Sequence, residues 1–85
     1  MKTFQYKVND ELGIHARPAG LLVKEAKKYQ SKIMIQKEDK SVAASQLLGI
    51  MGMCVKQGEE VTVTVEGVDE NEAYADMLKF FQENL

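Results

Sequence analysis

The segment EEVTVTVEG (59–67) constrains the fold more than any other part of the sequence. Its three valines alternate with two threonines, and this period of two is typical of a β-strand with one buried and one solvated face. A sheet built from such strands has an apolar face that other elements must cover. The fold therefore has to provide a sheet and a layer that packs on it.

Three other segments carry strand patterns. TFQYKV (3–8) alternates apolar and polar side chains, and KIMIQK (32–37) is a second apolar run of strand length. EDK (38–40) predicts a hairpin turn that leads into a short strand at SVA (41–43). We therefore expect four strands in an antiparallel sheet.

An amphipathic helix is predicted to start between Ala16 and Pro18. Pro18 suits the first turn, because the N–H that proline lacks would have no helical partner there. The apolar stripe of this helix follows helical spacing and is formed by Ala19, Leu22, Val23, Ala26 and Tyr29.

A second amphipathic helix is predicted within GVDENEAYADMLKFFQENL (67–85). Asp69 is its expected N-cap, and Glu72 stands three residues later, at the spacing of a capping box. Between the two helices, SQLLGIM (45–51) is interrupted by Gly49, so we expect only one or two helical turns there. The apolar side of the final helix comprises Ala73, Met77, Phe80, Phe81 and Leu85.

The order β-α-β-β-(short α)-β-α predicts an α/β (α+β) fold, a two-layer sandwich in which helices cover one face of an antiparallel sheet. The chain has 85 residues, a length that predicts a single domain over residues 1–85.

The net charge of −2 argues against nucleic acid as the main partner. Residues 1–40 hold nine of the 11 basic residues, so a basic face near Arg17 would suit an acidic protein partner.

The cysteine count and the hydropathy pattern predict a cytoplasmic setting. Cys54 is the only cysteine, which excludes an intrachain disulfide, and one Cys with one His makes a metal site implausible. We expect no signal peptide and no membrane insertion, because no apolar run approaches the length of about 20 residues that a span needs. We predict that Cys54 is a small buried hydrophobe, the alternative being an oxidisable surface thiol.

The segment GIHARPAG (13–20) holds the only histidine and the only proline of the chain. A helix start attracts anions through its free N–H groups, and the guanidinium of Arg17 matches phosphate oxygens. His15 adds a ring nitrogen that can act as a nucleophile near neutral pH. Together these groups predict a site that accepts a phosphoryl group, although a histidine that serves only as a cap or surface residue remains an alternative.

The motif GIHARPA resembles the active-site motif of the HPr family, the small histidine-containing phosphocarriers of the bacterial phosphoenolpyruvate:sugar phosphotransferase system. The resemblance continues through VKEAKKY, KSV, QG and GVDENEA and covers essentially the whole chain. It implies an open-faced β-sandwich, with four antiparallel strands covered on one face by three helices.

The resemblance also implies roles for the residues of the motif. His15 would take a phosphoryl group on Nδ1 from phosphorylated enzyme I and pass it to a histidine of a sugar-specific IIA unit. Arg17 would steady the phosphate, Ala16 would contribute backbone groups, and Pro18 would shape the helix start. We expect a monomeric carrier with no cofactor and no enzymatic turnover of its own.

A partner-binding surface is implied on the short second helix. Its apolar patch would comprise Leu47, Leu48 and Met51, with Gly20, Lys24 and Lys27 beside it on the first helix. Ile50 is the residue expected to point inward in their place. The alternatives are that the three apolar residues all belong to the core and that the lysines form an ordinary solvated helix face.

The sequence departs from the family pattern at several positions. Gln46 occupies the position of the serine that a dedicated kinase phosphorylates in many HPr proteins, and Ser45 lies one residue earlier. We therefore predict that regulation by serine phosphorylation is absent or altered. Leu12 stands ahead of the histidine at a position that is often polar in the family.

Two alternatives to a carrier in sugar uptake remain: an HPr-like regulatory module that only binds partners, and a carrier in a parallel regulatory phosphorelay.

Overall fold

A computed structural model describes the whole chain, residues 1–85, as four strands and three helices. The elements are, in chain order, β1 (Lys2–Lys7), α1 (Ala16–Ala26), β2 (Lys32–Lys37), β3 (Lys40–Ala43), α2 (Leu47–Gly52), β4 (Glu60–Glu66) and α3 (Glu70–Asn84). The four strands form one sheet, and the helices cover its apolar face. The predicted fold class is confirmed.

β4 lies between β1 and β2 in a sheet of order β1-β4-β2-β3, in which every neighbouring pair is antiparallel. Val63 faces Phe4 on one side and Ile35 on the other. All three side chains are buried. The segment with the most regular period-two pattern therefore occupies a central position, where both of its edges are paired and its apolar face meets the helices.

Phe81 of α3 joins the helical layer to the sheet. Its fully buried ring lies edge-on to those of Phe4 and Tyr6, with centroids 5.5 Å from each. Edge-on geometry brings the positive rim of one ring to the negative face of the other and adds to the free energy of burial. Leu22 of α1 and Met77 of α3 are also fully buried, which confirms the inward stripes predicted for both long helices. None of the helices combines the length and apolar character needed to cross a bilayer.

Tyr29 lies in the turn after α1, so the predicted helical stripe ends at Ala26. Its hydroxyl lies 2.5 Å from an Asp76 carboxylate oxygen and 2.8 Å from one of Glu25. Burial raises the pKa of the Tyr29 hydroxyl, and the hydrogen bonds to the two carboxylates raise it further. Tyr29 therefore ties the end of α1 to α3.

Asp69 is the N-cap residue of α3, as predicted, but its carboxylate makes no capping hydrogen bond, contrary to the predicted capping box. It accepts the backbone N–H groups of Gln30 at 2.9 Å and Ser31 at 2.8 Å, together with the Ser31 hydroxyl. These hydrogen bonds, that of the hydroxyl foremost, hold the pKa of Asp69 below its ordinary value. The loop between α1 and β2 thus supplies the donors that take the place of the α3 amides.

Glu70, rather than Glu72, reaches back over the start of α3. Its carboxylate accepts the N–H of Gly67 at 3.2 Å and pairs with the Met1 ammonium at 2.8 Å. The ammonium and the Gly67 amide lower the pKa of Glu70. The prediction that Glu72 would bond to the backbone before α3 is therefore wrong. The free N–H of Gly67 lies within reach of Glu70 instead.

Cys54 is exposed, so the prediction of a small buried hydrophobe is wrong. Its neighbours Met53 and Val55 are the buried residues of this turn, at 2% and 3% exposure. Cys54 also adopts a positive φ of +52°. The side chain between the two buried neighbours is therefore directed into solvent.

Candidate active site

The loop that leads from β1 to His15 is held at two places. The N–H groups of residues 9 and 10 donate to the carbonyl of Leu85 at 2.6 and 2.8 Å. The N–H of Ile14 donates to the carbonyl of Val55 at 3.0 Å. The loop is therefore fixed against the end of α3 and against the segment before β4, and the histidine follows the second anchor directly.

Gly13 makes the second anchor possible. Its φ is +67°, and a Cβ built on it would lie 2.2 Å from the carbonyl oxygen of Val55 and 2.8 Å from Cα of Lys56. Only glycine tolerates this combination of backbone conformation and close approach. The group that approaches Gly13 so closely is therefore the chain's own backbone.

His15 is the N-cap of α1, with φ −99° and ψ −177°. Its carbonyl accepts the N–H of Ala19 at 3.0 Å, whereas its imidazole makes no capping hydrogen bond and its side chain is 34% exposed. The amides of Ala16 and Arg17 have no acceptor, and Pro18, in the first turn as predicted, has no N–H. The helix start thus presents two unpaired donors next to the ring.

His15 and Arg17 line the same open cleft, which has a volume of about 300 Å³. The guanidinium side chain of Arg17 is exposed. The other residues of the cleft are Asp10, Pro18, Leu21, Glu83 and Asn84. The cleft therefore combines an accessible imidazole with an exposed cation and the unpaired amides of the α1 start, an arrangement that can receive an oxyanion.

Two acidic residues of the cleft were not predicted from the sequence. Oδ1 of Asp10 lies 3.9 Å from Nε2 of His15. Glu83 comes from the last turns of α3. No sequence pattern marked Asp10 as a site residue or linked Glu83 to a site about seventy residues earlier in the chain.

The short helix α2 exposes the predicted patch. Leu48 is 86% exposed, Leu47 is 40% exposed and Met51 is 37% exposed, whereas Ile50 is fully buried, as predicted. Six residues make fewer than two turns, so α2 can bury only one side. Lys24 is exposed on α1 and Lys27 at its C-cap, and an added Cβ at Gly20 would meet no neighbour.

Gln46 is the exposed N-cap of α2, and the helix itself begins at Leu47. Ser45 therefore lies before the helix, not within it as the predicted segment implied. Its half-buried side chain lines a cavity of about 270 Å³ together with Lys27 and Tyr29. The residue at the family's serine position and the neighbouring hydroxyl consequently occupy different environments.

Comparison with known proteins identifies the family. The family model for the HPr component phosphorylation site of the phosphotransferase system matches residues 2–83. The phosphocarrier protein HPr of Lysinibacillus sphaericus is 47% identical over 74 residues, covering 87% of this chain and 84% of that protein. The HPr-like protein Crh of Bacillus subtilis (strain 168) is 39% identical over 83 residues, covering 95% and 98%.

Solved structures agree over the whole fold. HPr-C-His from Thermoanaerobacter tengcongensis matches with a TM-score of 0.93 at 37% identity, covering 99% of this chain and 94% of that one. Crystalline Crh of Bacillus subtilis, described as a domain-swapped dimer, matches with a TM-score of 0.78 at 35% identity, covering 100% and 98%. By sequence, fold and the family-model match, the chain belongs to the HPr family, the phosphocarriers of the phosphotransferase system.

Proposed function

We propose that residues 1–85 act as a single carrier domain in the cytoplasm that accepts a phosphoryl group on His15 from phosphorylated enzyme I and passes it to a histidine of a IIA protein. The observation that carries this proposal is the accessible imidazole of His15 at the N-cap of α1. The ring makes no hydrogen bond of its own and shares an open cleft with Arg17.

The proposed transfer needs positioning and charge stabilisation rather than a cofactor. As the new N–P bond to His15 forms, the N–P bond of the donor phosphohistidine breaks, and its electron pair returns to the donor nitrogen. The amides of Ala16 and Arg17 and the Arg17 guanidinium stabilise the charge on the three peripheral phosphoryl oxygens. Reversal of the same step delivers the group to the next protein.

The exposed patch of Leu47, Leu48 and Met51 supports the proposed docking of both partners. Met is suited to a surface that meets more than one protein, because its unbranched side chain adapts its shape. Lys24 and Lys27 add positive charge for an acidic partner surface. We expect Leu48→Ala to weaken association with enzyme I while changing the free energy of unfolding by less than about 0.5 kcal/mol.

We also propose that the carrier is monomeric. β1 pairs with β4 of the same chain over all six of its residues, from Lys2 to Lys7, so a dimer that exchanged this strand between two copies would first have to break that pairing. Light scattering tests this state. The mass of one chain supports the proposal, and a stable dimer of the kind described for Crh overturns it.

Serine-dependent regulation is proposed to be absent. Gln46 has no hydroxyl, and Ser45 lies half-buried before α2. Incubation with an HPr serine kinase and ATP should leave the protein without phosphoserine, whereas the Gln46→Ser variant reports whether the surrounding surface is still recognised. Stoichiometric phosphoserine in the unaltered chain would overturn this part of the proposal.

A second candidate function is a regulatory module that binds partners without transferring a phosphoryl group, either alone or within a separate relay. The observation that favours it is the 39% identity to the HPr-like protein Crh. HPr-like regulators of this kind are expected to lose the histidine and keep the serine. This chain has His15 and lacks the serine, which supports transfer as the principal function.

Phosphorylation by phosphoenolpyruvate and enzyme I tests the carrier function. We expect about one acid-labile phosphate per chain in the unaltered protein, and none in His15→Ala. Arg17→Ala should slow the transfer, with a change of less than about 0.5 kcal/mol in the free energy of unfolding, because Arg17 is exposed. Lys40→Ala, an exposed cation on β3 outside the cleft, is the matched control. Equal phosphorylation of His15→Ala would refute the assignment.

A further inference from the structure

The carboxylate of Asp10 is fixed beside one nitrogen of the His15 ring. Its Oδ1 lies 3.9 Å from Nε2 and accepts the N–H of Leu12 at 2.9 Å. The backbone N–H of Asp10 donates to Leu85, and its carbonyl accepts the N–H of Gly13 at 2.9 Å. Three hydrogen bonds therefore hold Asp10 in place, so its carboxylate is already positioned beside the imidazole before any partner binds.

An acid beside a site for an incoming phosphoryl group requires an explanation. A carboxylate repels an anion, so Asp10 opposes transfer if both groups approach the same nitrogen. The repulsion is smallest when the acid faces one ring nitrogen and the phosphoryl group approaches the other. In this structure Asp10 faces Nε2, while Nδ1 makes no hydrogen bond and carries no capping contact.

We infer that Asp10 is a positioning residue, which keeps the imidazole proton of His15 on Nε2 and leaves the lone pair of Nδ1 free to accept the phosphoryl group. The effect of this tautomer on phosphoryl transfer rests on the proposed function. The tautomer itself is a property of the free protein and can be measured without a partner. A neutral imidazole carries one proton, and a fixed negative charge 3.9 Å from Nε2 favours the tautomer with the proton on that nitrogen. Arg17 of α1 and Glu83 of α3 are the other charged groups of the cleft.

The proton balance of the step follows from this tautomer. Nδ1 carries no proton, so it attacks phosphorus without a general base, and the donor's N–P bond breaks with its electrons returning to the donor nitrogen. The proton remains on Nε2, and the ring gains positive charge as the N–P bond forms. The Asp10 carboxylate stabilises that charge from the Nε2 side, and the unpaired amides of α1 meet the phosphoryl oxygens.

Nitrogen NMR of protein labelled in its single histidine measures the tautomer directly, at a pH where the ring is neutral. We expect the Nε2–H form to dominate in the unaltered protein. Asp10→Asn keeps an oxygen for the Leu12 N–H and removes the charge, and it should raise the ratio of the Nδ1–H form to the Nε2–H form by up to about fivefold, the effect of one charge near 4 Å at a water-like dielectric constant. Glu11→Gln removes a charge from the adjacent exposed residue and should leave the ratio unchanged.

A tautomer ratio that is the same in Asp10→Asn and in the unaltered protein overturns the inference. So does an equal change in Glu11→Gln, because it would indicate a general charge effect. Phosphorylation by enzyme I is measured separately on the same samples, and Asp10→Asn should transfer more slowly than Glu11→Gln. If His15 takes no phosphate in any sample while the tautomer depends on Asp10, the proposed function fails and the positioning of the ring stands.

Discussion

Replacing Gly13 with alanine is expected to destabilise the protein by about 3 kcal/mol, because two separate costs meet at this residue. The positive φ of +67° costs a residue with a Cβ about 1–2 kcal/mol. The new Cβ would also lie 2.2 Å from the carbonyl oxygen of Val55, and forced overpacking of this kind adds about 1–3 kcal/mol. That oxygen accepts the N–H of Ile14 at 3.0 Å, so movement of Val55 also weakens the anchor before His15.

Alanine substitutions at two other glycines measure the conformational cost separately from the cost of overpacking. Gly58 has a φ of +88° but no atom within 4 Å of an added Cβ, so Gly58→Ala should cost only the conformational part, about 1 kcal/mol. Gly20 is helical, with no positive φ and no neighbour. Gly20→Ala should therefore stabilise the protein by up to about 1 kcal/mol, the difference between the helix propensities of alanine and glycine.

Urea unfolding followed by circular dichroism measures all three variants. We expect the order of stability Gly20→Ala, unaltered protein, Gly58→Ala, Gly13→Ala, with similar dependence on urea concentration throughout. If Gly13→Ala is no less stable than Gly58→Ala, the close approach of residues 13 and 55 is refuted, and with it the explanation of how the His15 loop is fixed.

Three further predictions concern the core, the thiol and one carboxylate. Phe81→Ala should cost about 3–5 kcal/mol in urea unfolding because its ring is fully buried, and a loss below 1 kcal/mol would contradict the packing described. Cys54 should react with a thiol reagent in the folded protein as fast as in urea, because it is exposed; protection in the folded state would contradict its position. Asp69→Asn should destabilise the protein at neutral pH and progressively less on acidification. The fold lowers the pKa of Asp69 from 3.8, so the stability contributed by its negative charge is complete above pH 3.8. That contribution is lost as the pH falls through the lower pKa of the folded state. Equal destabilisation by Asp69→Asn at neutral and strongly acidic pH would argue against this role.

Local patterns were sufficient to predict the elements of the fold. The valines of β4 alternate with a period of two, and the burial of Val61, Val63 and Val65 follows that pattern. Ile50 was correctly assigned inward because α2 is too short to bury both of its sides. These predictions depend only on periodicity and length, which are properties of neighbouring residues.

The errors arose where distant segments meet. Asp69 has the spacing of a capping residue, yet the donors that its carboxylate accepts come from Gln30 and Ser31, which no local pattern indicates. Cys54 is apolar and follows a helix of the core layer, but it stands with a positive φ between the buried Met53 and Val55 and is itself exposed. In each case a tertiary contact or the local backbone conformation outweighed the preference read from the sequence.

The candidate site shows the same division. The motif around His15, Arg17 and Pro18 lies within four residues, so the sequence alone identified the ring, the cation and the helix start. Asp10 and Glu83 enter the cleft only through the fold, since one depends on the conformation of a loop and the other on the docking of α3. The two acidic residues of the cleft were therefore absent from the predicted site.

Phosphorus NMR of the carrier, after reaction with phosphoenolpyruvate and enzyme I, tests the central claim most directly. With nitrogen-15 in the single histidine, the phosphorus signal should show coupling to one ring nitrogen of His15, and it should disappear on mild acid treatment. Phosphorus without coupling to the labelled ring, or no incorporation into a folded protein that binds enzyme I, would contradict the claim that His15 carries the phosphoryl group.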